Sequence, residues 1–216
     1  MGASSSSLTV VPEIFPLPVY YDFASTLCCV AHRVLGRLEP RIVDLGVELE
    51  WRPVDLTLLT GWRRGAPVRG AGRVHALRVA EELGVPVRMP AFWLDSRPAH
   101  AVALALRDQS AKEAVWRERI WTAVHEEGCD IGEEAVLERL SREVGLEGVA
   151  RDTVVVEEVS LAAHEQGVQA VPTFLIDDWP MGGIQDDRTM VALFERYVRK
   201  RQREAAGRAD SEGSSH

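Results

Sequence analysis

Cysteine is scarce in this 216-residue chain: there are three, and two of them, Cys28 and Cys29, are neighbours. Three thiols do not make a secreted disulfide framework. Adjacent residues bridge only across a strained peptide, so a Cys28–Cys29 bond is not expected. Positive charge is short as well. Lys and Arg number 25 against 33 Asp and Glu, for a net charge of −8 and a pI near 5.3. Broad affinity for nucleic acid or anionic membrane needs concentrated positive charge, so neither partner is expected. No stretch approaches the ~18 apolar residues of a membrane-spanning helix. Met1 to Pro18 has neither the basic start nor the long apolar core of a signal peptide. There is no HExxH, no paired CxxC and no clustered His/Asp set, so no metal is expected. Together these absences point to a reducing, cytoplasmic setting.

What is present is ordinary globular composition, 46% hydrophobic and 27% charged, enough for one sizeable domain or one domain with a large insertion. Residues 1–17 read as a small, Ser-rich disordered leader and 204–216 as a polar, Gly/Ser-rich disordered tail. Met1-Gly2-Ala3-Ser4-Ser5-Ser6 also fits the loose myristoylation pattern, against which the Ser-rich leader is the preferred reading.

Leu17 to Phe23 is apolar and β-branched, a buried strand. Ser25 and Thr26 are natural N-caps for a helix over Leu27 to Leu38, whose apolar positions fall three and four apart. Gly36 and Pro40 are expected to end it. Val47 to Arg52 alternates apolar and polar, a second strand closed by Pro53, and a strand–helix–strand of this length implies parallel strands. From Val74 to about Gly167 only helical patterns occur: Val74–Leu83, Pro98–Ser110, Lys112–Glu127, Glu133–Val144 and Asp152–Gln166. Strands return at Thr173–Ile176 and, after a turn at Asp177–Pro180, at Met181–Ile184. A terminal helix runs from about Asp187 to Arg201. The fold class is α/β, a mixed sheet flanked by helices with a large helical insert.

Two segments stand out: Tyr21-Asp22-Phe23-Ala24-Ser25-Thr26-Leu27-Cys28, a strand running into a helix, and Gln169-Ala170-Val171-Pro172-Thr173-Phe174, a Val-Pro-Thr at the mouth of a strand. With Glu50-Trp51-Arg52-Pro53, Arg97-Pro98-Ala99-His100 and Asp130-Ile131-Gly132, they make the chain resemble the DsbA-like branch of the thioredoxin superfamily. The nearest group is that of 2-hydroxychromene-2-carboxylate isomerase and FrnE-type disulfide oxidoreductases. The resemblance covers roughly Val19 to Val198. It implies a thioredoxin-like domain built from 18–56 and 150–203, a helical insert domain at 57–149, and a cis Val171–Pro172 bond. Val171 would then pair with an extended thiol substrate as an added strand.

The resemblance breaks at one position. Where the family's attacking cysteine stands, this chain has Ser25, and a hydroxyl is not redox-active. Two enzymatic readings follow. In the isomerase-like branch the resemblance implies that Ser25 hydrogen-bonds the sulfur of a bound low-molecular-weight thiol such as glutathione or an equivalent. Alternatively Cys28 works alone through mixed disulfides, supported by His32 four residues on, which could help form a thiolate. The plain readings beside these are Ser25 as an N-cap only and Cys28 and Cys29 as small core residues; His125 and Cys129 are read as structural.

Between Leu56 and Ala80 there is no acidic residue, so Arg63, Arg64 and Arg69 are candidates to hold the carboxylates of a peptide-like thiol, or else an ordinary basic surface. Trp51, Trp62, Phe92 and Trp93 are candidates for the wall of an aromatic pocket. The reading favours an enzyme acting on a small-molecule or peptide thiol, and a homodimer is left open. The alternative is a non-catalytic thioredoxin-like scaffold that recognises a peptide through the Pro172 edge.

Overall fold

The computed structural model describes residues 13–177 and 179–213. The myristoylation pattern at Met1–Ser6 and most of the expected leader lie outside them.

Four strands form one sheet in the order β2-β1-β3-β4. β1 (Phe15–Tyr21) and β2 (Val47–Pro53) are parallel, joined by α1 (Thr26–Asp44). β3 (Thr173–Ile176) runs antiparallel to β1 and pairs with β4 (Trp179–Gly182) as a hairpin. Between β2 and β3 lie α2 (Leu56–Thr60), α3 (Ala71–Glu82), α4 (Arg97–Ala105), α5 (Ser110–Thr122), α6 (Glu134–Glu143) and α7 (Thr153–Glu165); α8 (Asp187–Gly213) closes the chain. α5 ends in a wider π-turn, Ala123–Glu127, stopped at Gly128. The fold is α/β with the mixed sheet and thioredoxin-like element order expected.

Several boundaries differ from expectation. β1 begins at Phe15, inside the expected leader, and α8 continues to Gly213 through most of the expected tail. α1 does not stop at Gly36 or Pro40 but carries Pro40 inside it, with Ile42 extending the buried stripe of Val34, Leu35 and Leu38. Pro40 removes the hydrogen bond to the carbonyl four residues back. That carbonyl belongs to Gly36, and both residues face outward, so the lost bond falls on the wet side. The short α2 was not anticipated; Asp55 caps it by accepting from the Thr57 N–H. The β3–β4 turn is tighter than expected. Trp179 already pairs with Ile176, so Pro180 sits within the outer strand β4, where a missing N–H can be tolerated.

One close approach depends on glycine. Gly46 turns α1 into β2 at φ +73, and a Cβ there would lie 2.5 Å from the Glu13 carbonyl oxygen. Phe15 N–H donates to Gly46 O at 2.7 Å, so the turn is where the parallel ladder begins.

Candidate functional site

The register puts three segments at one end of the sheet. β1 finishes at Tyr21 opposite Pro53, and Tyr20 faces Thr173. The residues that follow β1 (Asp22 to Ser25), those that follow β2 (Val54 to Leu56), and those that precede β3 (Val171 and Pro172) therefore share that end. The Val171–Pro172 peptide is cis.

Asp22 organises this end. It is 1% exposed, and its Oδ1 accepts from the Ala24 N–H at 2.8 Å while its Oδ2 accepts from the Leu56 N–H at 2.7 Å. His100 Nε2, on α4, reaches Oδ1 at 3.2 Å, and its ring stacks on Phe23 with centroids 4.8 Å apart. Burial alone would raise the Asp22 carboxyl. The hydrogen bond and charge of His100, with the two N–H groups, hold it below the ordinary carboxylate range. A second histidine supports the same turn. His125, in the π-turn, faces the Phe23 carbonyl through Nε2 at 3.0 Å and the Arg88 carbonyl through Nδ1 at 3.3 Å. Burial outweighs both carbonyls and lowers this imidazole to about 4.

Ser25 caps α1. Its Oγ accepts from the Cys28 N–H at 3.3 Å, leaving the hydroxyl proton to donate elsewhere. The N-terminal N–H groups and the helix dipole favour negative charge at this point. Cys28 is fully buried, and that burial drives its thiol far above the ordinary thiol range despite the Ser25 and Asp22 hydrogen bonds. Burial likewise pushes Cys29 up to about 12, against the nearby Arg33.

His32 does not support Cys28. Its Nε2 is 2.7 Å from Glu118 Oε2, and its ring stacks on Trp121 at 4.4 Å. Burial lowers His32, while hydrogen bonds from His32 and Arg33 hold Glu118 down to about 2. The i,i+4 spacing brought the side chains to the same helix, but the insert drew the imidazole away. Trp51 meets Tyr21, His32 and Trp121 edge-on, whereas Trp62 packs on Trp93 at 4.2 Å. Of the four aromatics expected to wall one pocket, Trp51 thus shares no ring contact with the Trp62–Trp93 pair, and Phe92 is exposed.

Arg64 is spent within the fold: it pairs with the buried Asp55 and lies 3.4 Å from Asp95. The absence of acids near it in sequence misled, because Asp55 stands just before that stretch and Asp95 well after it. Arg63 and Arg69 are exposed and have no ion-pair partner among the described residues. His125 and Cys129 do not touch through their side chains; the Cys129 sulfur faces Arg139 and Glu127. Among the described residues no group of three His, Cys, Asp or Glu could hold a metal ion, and no helix is long and apolar enough to cross a membrane. The Asp22–His100 and His125–Phe23 contacts carry the site's geometry. Asp22, Phe23 and His100 stood in motifs that the sequence singled out; His125 was read as structural, without its partner.

Comparison with known proteins agrees with this architecture. A curated relative, the uncharacterized protein YwbO of Bacillus subtilis (strain 168), is 28% identical over 186 residues, covering 77% of this chain and 89% of its own. A solved 2-hydroxychromene-2-carboxylate isomerase superposes with a TM-score of 0.65 at 21% identity, covering 89% of this chain and 98% of that one. The cytosolic disulfide reductase DsbM from Pseudomonas aeruginosa, solved with GSH, gives 0.56 at 22% identity, covering 89% and 100%. At these identities the two structures establish the fold alone. The DSBA-like thioredoxin domain model matches residues 17–195, from β1 into α8, and the chain belongs to that family.

Proposed function

We propose that the chain is a thiol-linked enzyme of the isomerase type, in which Ser25 holds the sulfur of a low-molecular-weight thiol at the N-terminus of α1. The observation that carries the reading is the pairing of a hydroxyl cap with a fully buried Cys28. A thiolate arriving at this end would take the Ser25 O–H donor that otherwise turns to the Cys28 thiol, and would meet the positive end of the helix dipole. Cys28, buried and held protonated, has no thiolate to contribute to a monothiol route. Glutathione fits as a thiol carrying its own amides and carboxylates: its main chain would lie along Val171, and Arg63 or Arg69 remain as carboxylate partners. Within this reading the protein acts on a small-molecule thiol adduct and needs no metal.

Calorimetric titration with reduced glutathione tests the role of Ser25. Ser25→Ala removes both hydroxyl and cap, while Ser25→Gly keeps capping within a few tenths of a kcal/mol. Both variants should bind about tenfold or more weakly, since a hydrogen bond to a charged partner is worth ~1.5–3 kcal/mol. Unchanged affinity in Ser25→Gly would reject the role and leave the non-catalytic scaffold as the better description.

A further inference from the structure

A buried carboxylate shares the turn that presents Ser25. Asp22 is 1% exposed, and the Ser25 N–H donates to its main-chain carbonyl at 3.0 Å. The negative charge of Asp22 reaches the first turn of α1. It is one of the causes that raise Cys28, and it acts on His125 in the same direction. A thiol bound at Ser25 lies in that field, and a like charge nearby opposes its ionisation. The dipole of α1 favours the thiolate, so the two influences work against each other unless the carboxylate is offset.

What offsets Asp22 is decided by the charge of its neighbours. Tyr21 meets the His100 ring edge-on, with centroids 5.6 Å apart, and burial raises its hydroxyl well above the ordinary range. Burial also raises the Cys28 thiol and lowers the His125 imidazole to about 4. At neutral pH all three are uncharged. Glu113, beside the Tyr21 hydroxyl, is paired with Arg117, and Asp55, next to Leu56, is paired with Arg64. Among the described residues His100 alone lies within ion-pair distance of Asp22, with Nε2 3.2 Å from Oδ1. Its surroundings suit a charged ring. The imidazole is fully buried and lies over Phe23 at an interplanar angle of 15°, where the face of the aromatic ring attracts a cation. His100 Nδ1 has no partner in either protonation state. The balance is therefore struck at Asp22, whose buried charge only the imidazolium can match.

We propose that His100 is a positioning residue for the thiol: held as the imidazolium partner of Asp22, it cancels the charge of the carboxylate and so lets a thiol bound at Ser25 ionise, its proton passing to water. The proposal rests on the Ser25 reading and adds to it the group that governs ionisation of the bound sulfur. His100 acts through Asp22, not by contact with the thiol. Because it stands on α4, the helical insert takes part in chemistry at a helix that belongs to the sheet.

The test compares the full chain with His100→Gln, whose side-chain amide can still donate to Asp22 from the place of Nε2 but carries no charge. Reduced glutathione is the probe, and S-methylglutathione, which has no thiol proton to lose, is the blank. Ultraviolet absorbance of the thiolate, followed against pH in the complex, reads the ionisation of the bound thiol. In the wild-type chain that thiol should be more acidic than free glutathione. In His100→Gln it should be about tenfold less acidic than in the wild type, within the range that one opposite charge commands. S-methylglutathione should bind both proteins equally. Equal thiol acidity in the two proteins overturns the proposal, and so does a parallel loss of affinity for both probes, the result of a turn merely loosened. Nitrogen NMR of the wild-type imidazoles decides the matter even if the variant folds poorly: His100 should carry protons on both ring nitrogens at pH 7, and a neutral ring overturns the proposal. Failure of the Ser25 reading is distinguishable because it shows in the wild type. Glutathione would then not bind, or its bound thiol would be no more acidic than free, and either result removes this proposal with it.

Discussion

Asp22 concentrates more structural consequence in one side chain than any other residue at this end of the sheet. Its two oxygens tie the turn that presents Ser25 to α2 through Leu56 and to the insert through His100. Asp22→Asn keeps the shape but sets an amide N–H₂ against one of these donors, leaving buried groups unpaired. The expected loss is ~2–3 kcal/mol in urea denaturation, with weaker thiol binding because the Ser25 turn loosens; a variant as stable as the parent would show that the clamp is incidental. The cysteines make a second test at the same scale. Cys28 and Cys29 are buried and Cys129 is partly exposed. Iodoacetamide at pH 8 should therefore label Cys129 first in the native chain, read by peptide mass spectrometry. Prompt labelling of Cys28 would revive the monothiol route and displace the isomerase reading.

Among the elements, the π-turn at the end of α5 does the least expected work. Widening the helix by one residue per turn lets His125 reach back to Phe23 O, while Arg88 N–H donates to the His125 carbonyl at 2.7 Å. This imidazole titrates near 6.5 in an unfolded chain and at about 4 in the fold. Between those values the unfolded state binds the extra proton, so stability falls as pH drops from 6.5 towards 4, by at most about 3 kcal/mol. His125→Gln should flatten that window in denaturant titrations at pH 7, 5.5 and 4.5, and an unaltered slope would exclude His125 as its source. No periodicity announces such a contact, since Phe23 and His125 are far apart in sequence. What could be read beforehand was local: the Ser25 cap, the apolar stripe of α1, the alternation in β2 and the Val-Pro-Thr before β3. Pro40 misled because its missing hydrogen bond falls on a wet face. Arg64 misled because its partners lie outside the acid-free stretch. The cap and the Pro172 segment were legible for chemical reasons; the histidine contacts that hold the turn before the cap are tertiary.

At the scale of the molecule, the question is whether the helical insert is a separate body or part of one core. Tyr21, Phe23, Cys28 and Val54 from the sheet end pack in a single buried cluster with Val102, Trp116, Trp121, Ile131, Leu137 and Leu140 from the insert. Tyr21, Trp51, His32 and Trp121 form mutual aromatic contacts across the junction, and Arg33 of α1 reaches Glu118, Thr122 and Glu126 along α5. A cluster shared in this way makes the insert's apolar face depend on the sheet, and the sheet's far end depend on the insert. Unfolding should therefore be one cooperative step. Far-UV circular dichroism, dominated by helices, and tryptophan fluorescence, weighted to Trp51, Trp116 and Trp121 at the junction, should give the same urea midpoint and the same slope. Trp121→Ala, which empties the centre of that cluster, should lower both midpoints together, by about 3–5 kcal/mol in stability. If instead the two signals separate, or the variant melts the insert while β1 and β2 keep slow amide exchange, the insert folds independently and the site at Ser25 is held by the sheet alone.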